Sequence, residues 1–451
     1  MNDTIVAIST ALGVGAISII RLSGKESIKI VNDCFQGKDL LKVNSHTINY
    51  GHIIENNEII DEVLVSIMKS PKTFTTEDVV EINCHGGIIA TNKILELMIN
   101  HGARLAEPGE FTKRAFLNGR IDLVKSEAIM DIIESKNDEA RKLAISQLTG
   151  NISNLIDKFR NNLKNLLSSI EVNIDYPEYN DIEVITQEKI KNQIIIMKQE
   201  LKKLINESEN SIIVKKGINT VIIGKPNVGK SSILNRLLNQ EKAIVTNVAG
   251  TTRDIVEGEI SINGIILNLI DTAGIRETND IVEKIGVEKS LSVIDEADLV
   301  IVVLNNNEKL TIEDTKILEK TNNKNRIIVI NKNDLCKKID NKIQKYNNVI
   351  TTNTNTNEGI LSLKDKIIQM FNLEQIKNKD YTYLSNARQI SLAKKAYKSL
   401  LDAENALNRK MPIDMIEIDL KEVFNILGEI IGITYSEEII DNLFKKFCVG
   451  K

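Results

Sequence analysis

A glycine-rich segment near the middle of the chain has the residue types and spacing of a phosphate-binding loop. It reads Gly-Lys-Pro-Asn-Val-Gly-Lys-Ser from Gly224 to Ser231. The glycines let backbone N–H groups turn toward phosphate oxygens, Lys230 can reach the β- and γ-phosphates, and the Ser231 hydroxyl can bind Mg²⁺. An apolar run at 221–223 precedes the loop and a helix-like run follows it. The segment therefore predicts a nucleoside triphosphate site between a strand and a helix.

Two further motifs end predicted strands later in the chain. Asp-Thr-Ala-Gly at 271–274 supplies a carboxylate that can face Mg²⁺ and a glycine N–H that can reach the γ-phosphate. Asn-Lys-Asn-Asp at 331–334 can read guanine, because the Asp334 carboxylate accepts N1–H and N2–H, which adenine does not offer together. Each motif alone is compatible with an ordinary turn. The three in this order predict a GTPase.

The water-positioning group is not where Ras-type enzymes have it. The loop from Gly250 to Asp254 is typical of a first switch segment, in which Thr252 can complete the Mg²⁺ shell. Ile275 stands where Ras-type enzymes have a glutamine that orients water, and isoleucine cannot do so. The sequence shows no arginine finger, whose contribution is about 4 to 7 kcal/mol, so a bound cation is a candidate replacement. Acidic candidates for orienting water follow at Glu277, Asp280 and Glu283.

Length and composition indicate a protein of about three domains in a reducing compartment. The chain has 451 residues and a net charge of −4, so contacts to nucleic acid must come from local patches or from a partner. Its four cysteines (Cys34, Cys84, Cys336 and Cys448) have no metal-binding spacing, and we expect free thiols. No apolar run approaches the roughly 20 residues that span a bilayer. We expect a cytoplasmic protein with no membrane segment.

The chain divides into four segments by its hydrophobic patterns. Residues 1–119 mix short strands with helices, residues 120–215 are helical, residues 216–375 alternate strands and helices, and residues 376–451 are helical again. We therefore predict a multidomain α/β protein: an N-terminal α+β domain, a discontinuous helical-bundle domain, and a Ras-like P-loop G domain inserted into it.

The helical segments carry apolar seams at four-three spacing, which are more typical of a bundle interior than of a membrane or cofactor face. The positions are Ile152, Ile156, Phe159, Leu163, Leu166 and Ile170 in one helix, Ile190, Ile194, Met197, Leu201 and Leu204 in the next, and Ile418, Val423, Phe424, Leu427, Ile430 and Ile431 near the end of the chain.

Outside the G domain, single residues give weaker signals. Glu81 ends a strand-like run, and His85 follows it in Cys-His-Gly-Gly; a strand face and a satisfied turn histidine are the ordinary explanations. Cys448 stands three residues from the last residue given, where a disordered tail or a buried thiol would be ordinary.

Several longer motifs together resemble the tRNA-modification GTPases of the MnmE (TrmE) family, over essentially the whole chain. They are the phosphate loop, Gly250 to Asp254, Asp-Thr-Ala-Gly-Ile-Arg at 271–276, Pro-Gly-Glu-Phe at 108–111 with Arg-Ala-Phe-Leu-Asn at 114–118, and the final Phe-Cys-Val-Gly-Lys at 447–451. The resemblance implies that the N-terminal domain binds folate and pairs with a second copy.

The resemblance also implies a K⁺ ion that replaces the arginine finger when two G domains meet. Its ligands would be Asn227, Thr246, Val248 and Thr251, with Ser231 and Thr252 on Mg²⁺ and Glu283 positioning water. The family's base-backing Ser-Ala-Arg/Lys motif aligns by spacing with Asn-Thr-Asn at 353–355, whose backbone amides can still contact guanine O6. The implied nucleotide and cation set is Asn227, Val228, Gly229, Lys230, Ser231, Ser232, Thr246, Asn247, Val248, Ala249, Gly250, Thr251, Thr252, Asp271, Thr272, Ala273, Gly274, Asn331, Lys332 and Asp334.

For the N-terminal domain, the resemblance implies a 5,10-methylene- or 5-formyl-tetrahydrofolate bound by Arg21, Glu81, Arg120 and Lys451 at a dimer interface. A carboxylate suits the donor nitrogens of a pterin, and arginines suit folate carboxylates. Lys230 and Glu283 would serve GTP hydrolysis, and Cys448 would serve tRNA modification, with a nucleophilic role as a hypothesis.

The function implied is a K⁺-stimulated GTPase that forms a homodimer. With the FAD-dependent MnmG (GidA), in a heterotetramer, it would add a carboxymethylaminomethyl or aminomethyl group to the wobble uridine of tRNA. A ribosome-assembly GTPase of the Era or EngA kind is one alternative, although no KH-type module or second G domain is evident. A non-catalytic nucleotide-dependent switch is the other.

Overall fold

The computed structural model describes residues 3–175, 187–239, 256–262, 264–270, 294–371, 381–435, 437–448 and 450. The chain forms two compact units. The first comprises Met1–Ile133, Gln147–Ile194 and Lys398–Lys451, and the second comprises Glu134–Ser146 and Ile195–Tyr397.

The first unit contains a mixed sheet whose described strands run in the order β3-β4-β5-β6-β2-β1-β7. The strands are β1 (Ile5–Ile8), β2 (Ile17–Ser23), β3 (Phe35–Gln36), β4 (Thr47–Glu55), β5 (Glu58–Met68), β6 (Val79–His85) and β7 (Arg104–Leu105). Neighbours are antiparallel except β1 and β7, which are parallel. Alternate residues of β5 are buried, as in Val63, Val65 and Ile67, because only one face of this strand meets the core.

Helices α1 (Ser27–Asn32) and α2 (Ile88–Asn100) cover the buried face of this sheet. Phe111 of α3 (Glu110–Leu117) packs on Ile5 and Ala7 of β1, and α4 (Leu123–Ile133) follows α3. Ile94, Leu97 and Met98 of α2 pack on the apolar side chains of β1, β2, β5 and β6. The sheet with its helices confirms the predicted α+β character of the N-terminal part.

The further helices of the helical segments are α5 (Asp138–Leu148), α6 (Asn151–Asp175), α7 (Gln187–Lys216), α11 (Ala387–Asn408), α12 (Ile413–Ile431) and α13 (Glu437–Phe444). The predicted seams of α6 and α7 are buried, and α6 packs against α12. In α12 the prediction was wrong at Ile418, which is 67% exposed, because the buried stripe runs through Ile416, Leu420 and Val423 instead.

The second unit contains a sheet of the described strands β8 (Ile218–Ile223), β9 (Val256–Ile262), β10 (Ile265–Ile270), β11 (Leu299–Asn305), β12 (Arg326–Asn331) and β13 (Val349–Thr351). Their order is β13-β12-β11-β8-β10-β9, and among these described strands β9 and β10 pair antiparallel while the other neighbours are parallel. The core strands are apolar without alternation because both faces are covered by packed side chains.

Three helices of this unit bear on the site: α8 (Lys230–Asn239), α9 (Ile312–Lys320) and α10 (Ile360–Met370). A short 3₁₀ helix lies at Asn341–Lys345. Because β8, β11 and β12 are parallel neighbours, their carboxyl ends meet at one edge, where phosphate and base-reading motifs lie. Among the described helices, none has both the length and the apolar character that crossing a bilayer requires.

Candidate functional site

The phosphate loop joins β8 to α8 in a conformation that needs special backbone angles. Gly229 has a φ of +100° and Asn227 a φ of +62°. A Cβ added to Gly229 would clash with the Asn331 side chain. The Lys230 ammonium lies within the loop and donates to the carbonyls of Gly224 (2.9 Å) and Lys225 (2.8 Å). The loop therefore has the curvature, and the inward-directed cation, that a polyphosphate requires.

The motif at 331–334, predicted to read guanine, is bonded directly to this loop. Buried Asn331 donates from Nδ2 to the Val228 carbonyl at 3.0 Å, and Lys332 donates from Nζ to the Asn227 carbonyl at 2.7 Å. Thr352, which follows β13, donates to Asn331 Oδ1 at 3.2 Å. The structure thus brings the predicted phosphate and base residues together in one hydrogen-bonded body.

Asp334 is exposed at the mouth of this body, beside the loop that follows β13. The Asn355 side-chain amide donates to Asp334 at 3.4 Å, and the Asn355 N–H donates to Asn353 Oδ1 at 2.9 Å. Asn353 also donates from its N–H to the Glu358 carbonyl at 3.0 Å, which closes the loop. The asparagines at 353 and 355 therefore build the base-side loop by side-chain turns.

Two residues that sequence reasoning missed support this region. Arg236 of α8 donates to the carbonyls of Thr354 (2.7 Å) and Asn355 (3.3 Å). The only sequence signal for Arg236 was its position six residues after Lys230, and that spacing does not predict which residues it contacts.

Lys225 is the other, and it serves α9 rather than phosphate. Its ammonium pairs with Asp314 at 2.9 Å, and Asp314 is itself the N3 residue of a capping box with Thr311. Burial works to lower the pKa of Lys225, but the hydrogen bond to Asp314 and the nearby charges of Asp314 and Glu308 outweigh burial and raise it. Lys225 is therefore paired with a carboxylate, whereas the Lys230 ammonium lies within the loop.

Several predicted residues lie outside the described part of the chain. They are Thr246, Asn247, Val248, Ala249, Gly250, Thr251, Thr252, Asp271, Thr272, Ala273, Gly274, Glu283 and Lys451. Of the predicted Mg²⁺ ligands, Ser231 is described, in the first turn of α8.

In the first unit, Arg21 and Glu81 form a cross-strand pair. They are directly opposite in β2 and β6, and Arg21 meets Glu81 Oε1 through Nη2 (2.7 Å) and Nε (2.8 Å). The two side chains are 18% and 23% exposed, and the Arg21 guanidinium lies 5.8 Å from the centre of the Phe111 ring. The pair stands on the face of the sheet opposite α2, where a ligand can reach it.

The end of the chain lies against this pair. Arg21 Nη1 donates to the Gly450 carbonyl at 3.3 Å, and the Ser9 hydroxyl donates to the same oxygen at 3.0 Å. The Gly109 N–H donates to the Cys448 carbonyl at 3.1 Å. The tail is thus ordered beside Arg21, and the alternative of a disordered tail for Cys448 was wrong.

Packing between phenylalanine rings positions the tail. Phe444, at the end of α13, lies 6.1 Å from Phe116 and 4.8 Å from Phe447 between ring centres. These rings pack with Leu123 and Ile440 into a cluster that joins α13 to α3 and α4.

Arg120 lines a cleft that does not include Arg21. It donates to the Phe74 carbonyl at 2.7 Å and stacks on the Phe74 ring at 5.0 Å. It lines a cleft of about 580 Å³ with Met68, Pro71, Lys72, Thr73, Phe74, Thr76, Asn118 and Gly119. Phe74 packs against the small cluster that contains Phe111, so the two predicted folate arginines stack on aromatic rings of one cluster without sharing a cleft.

A buried ionic network holds this domain together, and sequence reasoning missed its role. Arg114, 1% exposed, contacts Asp3 (2.9 Å), Glu77 (3.1 Å) and Glu110 (3.0 Å). Glu110 also pairs with Arg104 at 2.6 Å. The Pro-Gly-Glu-Phe and Arg-Ala-Phe-Leu-Asn motifs could have indicated this network, because they contain Glu110 and Arg114.

The four cysteines are free thiols, as expected. Cys34 and Cys84 are buried, and burial is the main reason that the pKa of Cys34 is raised to about 11 and that of Cys84 is also raised. Cys336 and Cys448 are exposed. Since the thiolate is the reactive form, the two buried cysteines are unreactive near neutral pH.

His85 is a hydrogen-bonded histidine, as expected, but it is the last residue of β6 and does not lie in a turn. It is 71% exposed, and its Nδ1 lies 2.6 Å from Asp61 Oδ1. The hydrogen bond with Asp61 raises the pKa of His85 above its usual value.

Comparison with known proteins places the chain. Residues 4–120 match the model of the GTP-binding protein TrmE N-terminus, and residues 123–448 match that of the MnmE helical domain. The proteins named tRNA modification GTPase MnmE from Streptococcus thermophilus (strain CNRZ 1066) and Staphylococcus aureus (strain MSSA476) are 53% and 52% identical to it. Each match covers 100% of this chain, with 98% and 99% of the respective relative. The crystal structure of the G domain of the T. maritima FeoB iron transporter is 29% identical over 34% of this chain and 98% of that one, with a TM-score of 0.26. The match over the whole length shows that the chain belongs to the MnmE (TrmE) family.

Proposed function

We propose that this protein hydrolyses GTP and takes part in the modification of tRNA. The relatives that match its full length are named tRNA modification GTPases. One observation carries the nucleotide part: Asn331 and Lys332 bind carbonyls of the phosphate loop, so that the phosphate site and Asp334 belong to one rigid body. That arrangement suits a single ligand with a triphosphate at one end and guanine at the other.

The residues present fit GTP. The absence of a Cβ at Gly229 leaves the room that the Asn331 side chain occupies, and Lys230 lies inside the loop. We propose that Lys230 binds the β- and γ-phosphates, that Asp334 accepts the guanine N1–H and N2–H, and that Ser231 and Thr252 hold Mg²⁺. When bound, Mg²⁺ neutralises charge that develops on the phosphate oxygens.

A potassium ion is proposed to replace the arginine finger. Asn227 supports this proposal, because its side chain is exposed on the rim of the phosphate loop. Its backbone has a positive φ, and its carbonyl already accepts a hydrogen bond from Lys332. The other proposed ligands are Thr246, Val248 and Thr251, and Glu283 is proposed to position the attacking water.

GTP hydrolysis in KCl against NaCl at equal ionic strength tests this part. Asn227→Ala should lose K⁺ stimulation and keep GDP binding, and Lys230→Ala should lose turnover. Because alanine is strained at a φ of +62°, Asn227→Gly is the matched control: it tolerates that φ but lacks the amide. Loss of stimulation in both variants would support an amide ligand. K⁺-independent slow turnover by the unmodified protein would contradict it and favour the nucleotide-dependent switch.

For the N-terminal part we propose a tetrahydrofolate carrying a one-carbon unit, in the methylene or formyl form, bound by Arg21, Glu81, Arg120 and Lys451. The Arg21–Glu81 pair is partly exposed and offers a carboxylate for pterin nitrogens. Arg120 lines a separate cleft, so the proposal requires that an extended ligand or a second copy of the chain connects the two. The homodimer is part of the proposal.

Calorimetric titration with 5-formyltetrahydrofolate tests the folate site. Glu81→Gln should weaken binding and leave GTP hydrolysis unchanged, because Glu81 lies in the β2–β6 sheet rather than at the nucleotide loop. Equal folate affinity in Glu81→Gln would remove Glu81 from the site.

The finer chemistry is proposed on the same basis. Together with the FAD-dependent MnmG, in a heterotetramer, the protein would install the carboxymethylaminomethyl or aminomethyl group on wobble uridine. The proposed domain segments are residues 1–119, 120–215, 216–375 and 376–451.

Cys448 is proposed to have a chemical role, since it is an exposed thiol on a tail fixed beside Arg21. Cys448→Ser should lose tRNA modification and retain GTP hydrolysis; full modification by this variant would exclude the thiol.

A further inference from the structure

The loop at 353–358, on the proposed guanine side of the site, is contacted by one arginine of α8. Arg236 donates through Nε to the Thr354 carbonyl at 2.7 Å and through Nη2 to the Asn355 carbonyl at 3.3 Å. A planar guanidinium that donates to two successive carbonyls fixes their orientation as well as their position. Arg236 therefore holds the Thr354 and Asn355 carbonyls in place.

The same arginine belongs to the helix that begins with the phosphate ligand. Arg236 and Lys230 are both in α8, less than two helical turns apart. On the other side, Asn355 contacts Asp334 at 3.4 Å. A continuous set of contacts thus runs from the phosphate loop through Arg236 to the loop at 353–358 and to Asp334.

The other contacts within this loop are local and between uncharged groups. The Asn355 N–H is held by Asn353 Oδ1, and a backbone bridge between Asn353 and Glu358 closes the loop. Hydrogen bonds between neutral groups are weaker than a charge-assisted pair of bonds. Arg236 is the cationic contact to the carbonyls of residues 354 and 355 among the described residues.

We infer that Arg236 is a specificity-positioning residue: it holds the loop at 353–358 so that the Thr354 N–H meets guanine O6, while Asp334 reads N1–H and N2–H. The N–H groups of Asn353 and Asn355 are already bonded within the loop. This inference rests on the proposed GTP site and deepens it. It assigns the recognition of O6 to a backbone geometry that α8 maintains, rather than to a side chain of the loop.

Equilibrium binding of three nucleotides, by competition with a fluorescent N-methylanthraniloyl derivative of GDP, separates this role from general support. GDP has all three polar groups, IDP lacks the 2-amino group but keeps O6, and 6-thio-GDP replaces O6 by sulfur, a weak acceptor. Arg236→Met should weaken the binding of GDP and IDP by about tenfold, which corresponds to the loss of roughly one hydrogen bond to O6. It should weaken 6-thio-GDP by clearly less, because the contact to position 6 is already poor there.

The controls make the outcome decisive. Asn235→Ala changes an exposed neighbour in α8 and should bind all three nucleotides like the unmodified protein. Arg236→Lys keeps a charged donor and should show the same base-dependent pattern at smaller size, which also serves if Arg236→Met does not fold. Equal losses for the three nucleotides, or no loss, in a folded Arg236 variant would overturn the inference. Failure of the unmodified protein to bind the fluorescent GDP would instead contradict the proposed GTP site.

Discussion

Replacement of Glu110 by glutamine should lower the free energy of local opening of the N-terminal domain by about 3 kcal/mol. The Glu110 carboxylate is 5% exposed and accepts from Arg104 (2.6 and 3.1 Å), Arg114 (3.0 Å) and the Glu107 N–H (2.8 Å). Glutamine keeps the volume and one acceptor oxygen but removes the charge opposite Arg114, whose side chain is 1% exposed.

The magnitude follows from how well each partner is shielded from water. Removing one member of a buried ion pair costs about 3 to 5 kcal/mol. Arg114 keeps Glu77 and Asp3 as partners, and Arg104 is 46% exposed, so that water screens its share. Both facts place the expected loss at the lower end of that range.

The loss should become smaller in acid. Burial by itself would raise the pKa of Glu110, but hydrogen bonds from Arg104, the Glu107 N–H and Arg114 outweigh burial and hold it below the ordinary value of 4.5. A carboxyl group with a lowered folded-state pKa stabilises the fold above its unfolded pKa and loses that contribution as the pH falls through the folded pKa. The two proteins should therefore differ most near neutral pH and converge well below pH 4.5.

Native-state hydrogen exchange of β1 and α3, corrected for intrinsic rates at each pH, measures this local free energy. A local probe is needed because a multidomain chain does not unfold in one transition. Glu26→Gln is the matched control, since Glu26 pairs with Lys29 at 3.6 Å with both side chains at least 60% exposed, and it should leave exchange unchanged. Unaltered protection in Glu110→Gln, or a difference that does not depend on pH, would refute the reasoning.

Three further perturbations have definite expected outcomes. Gly229→Ala should reduce GDP affinity at least tenfold, because its Cβ would clash with the Asn331 side chain at a φ of +100°; unchanged affinity by fluorescence titration would count against the described loop. Gly450→Ala should release the tail, since its Cβ would clash with a carbonyl oxygen of β1 at a φ of +89°, and faster hydrogen exchange of the last peptide would show it. The NMR titration of His85 should have its midpoint above 6.5, with the protonated form favoured below that value, and Asp61→Asn should remove the shift; equal midpoints in both proteins would exclude the pair.

The sequence alone was sufficient to predict the phosphate loop and the motif at 331–334 as neighbours, which the structure brings together. Their glycines, lysine and carboxylate must occur at fixed short spacings after a strand, because one local turn has to surround one phosphate group. The apolar seams of α6 and α7 were equally readable, since a helix with one buried stripe repeats it every three to four residues. Ile418 shows the limit of that method, as a stripe can shift by two positions near a helix end without changing the pattern of apolar residues.

Long-range contacts could not be read in this way. Arg236 meets the carbonyls of Thr354 and Asn355 across more than a hundred residues, and backbone carbonyls leave no mark in a sequence. Arg114 reaches Asp3, Glu77 and Glu110 only because α3 is buried against the sheet, and hydropathy alone gives no reason to bury an arginine.

The chain's own residue order therefore determined the kind of chemistry: a phosphate loop, a guanine-reading motif, helical seams and a terminal cysteine motif. Only the tertiary structure decided which of these act together. It joined Asn331 and Lys332 to the phosphate loop, fixed the tail beside Arg21, and placed Arg120 in a separate cleft. The physical reason is that local turns depend on neighbouring residues, whereas a site assembled from distant segments depends on how buried side chains and backbone hydrogen bonds are satisfied in the folded chain.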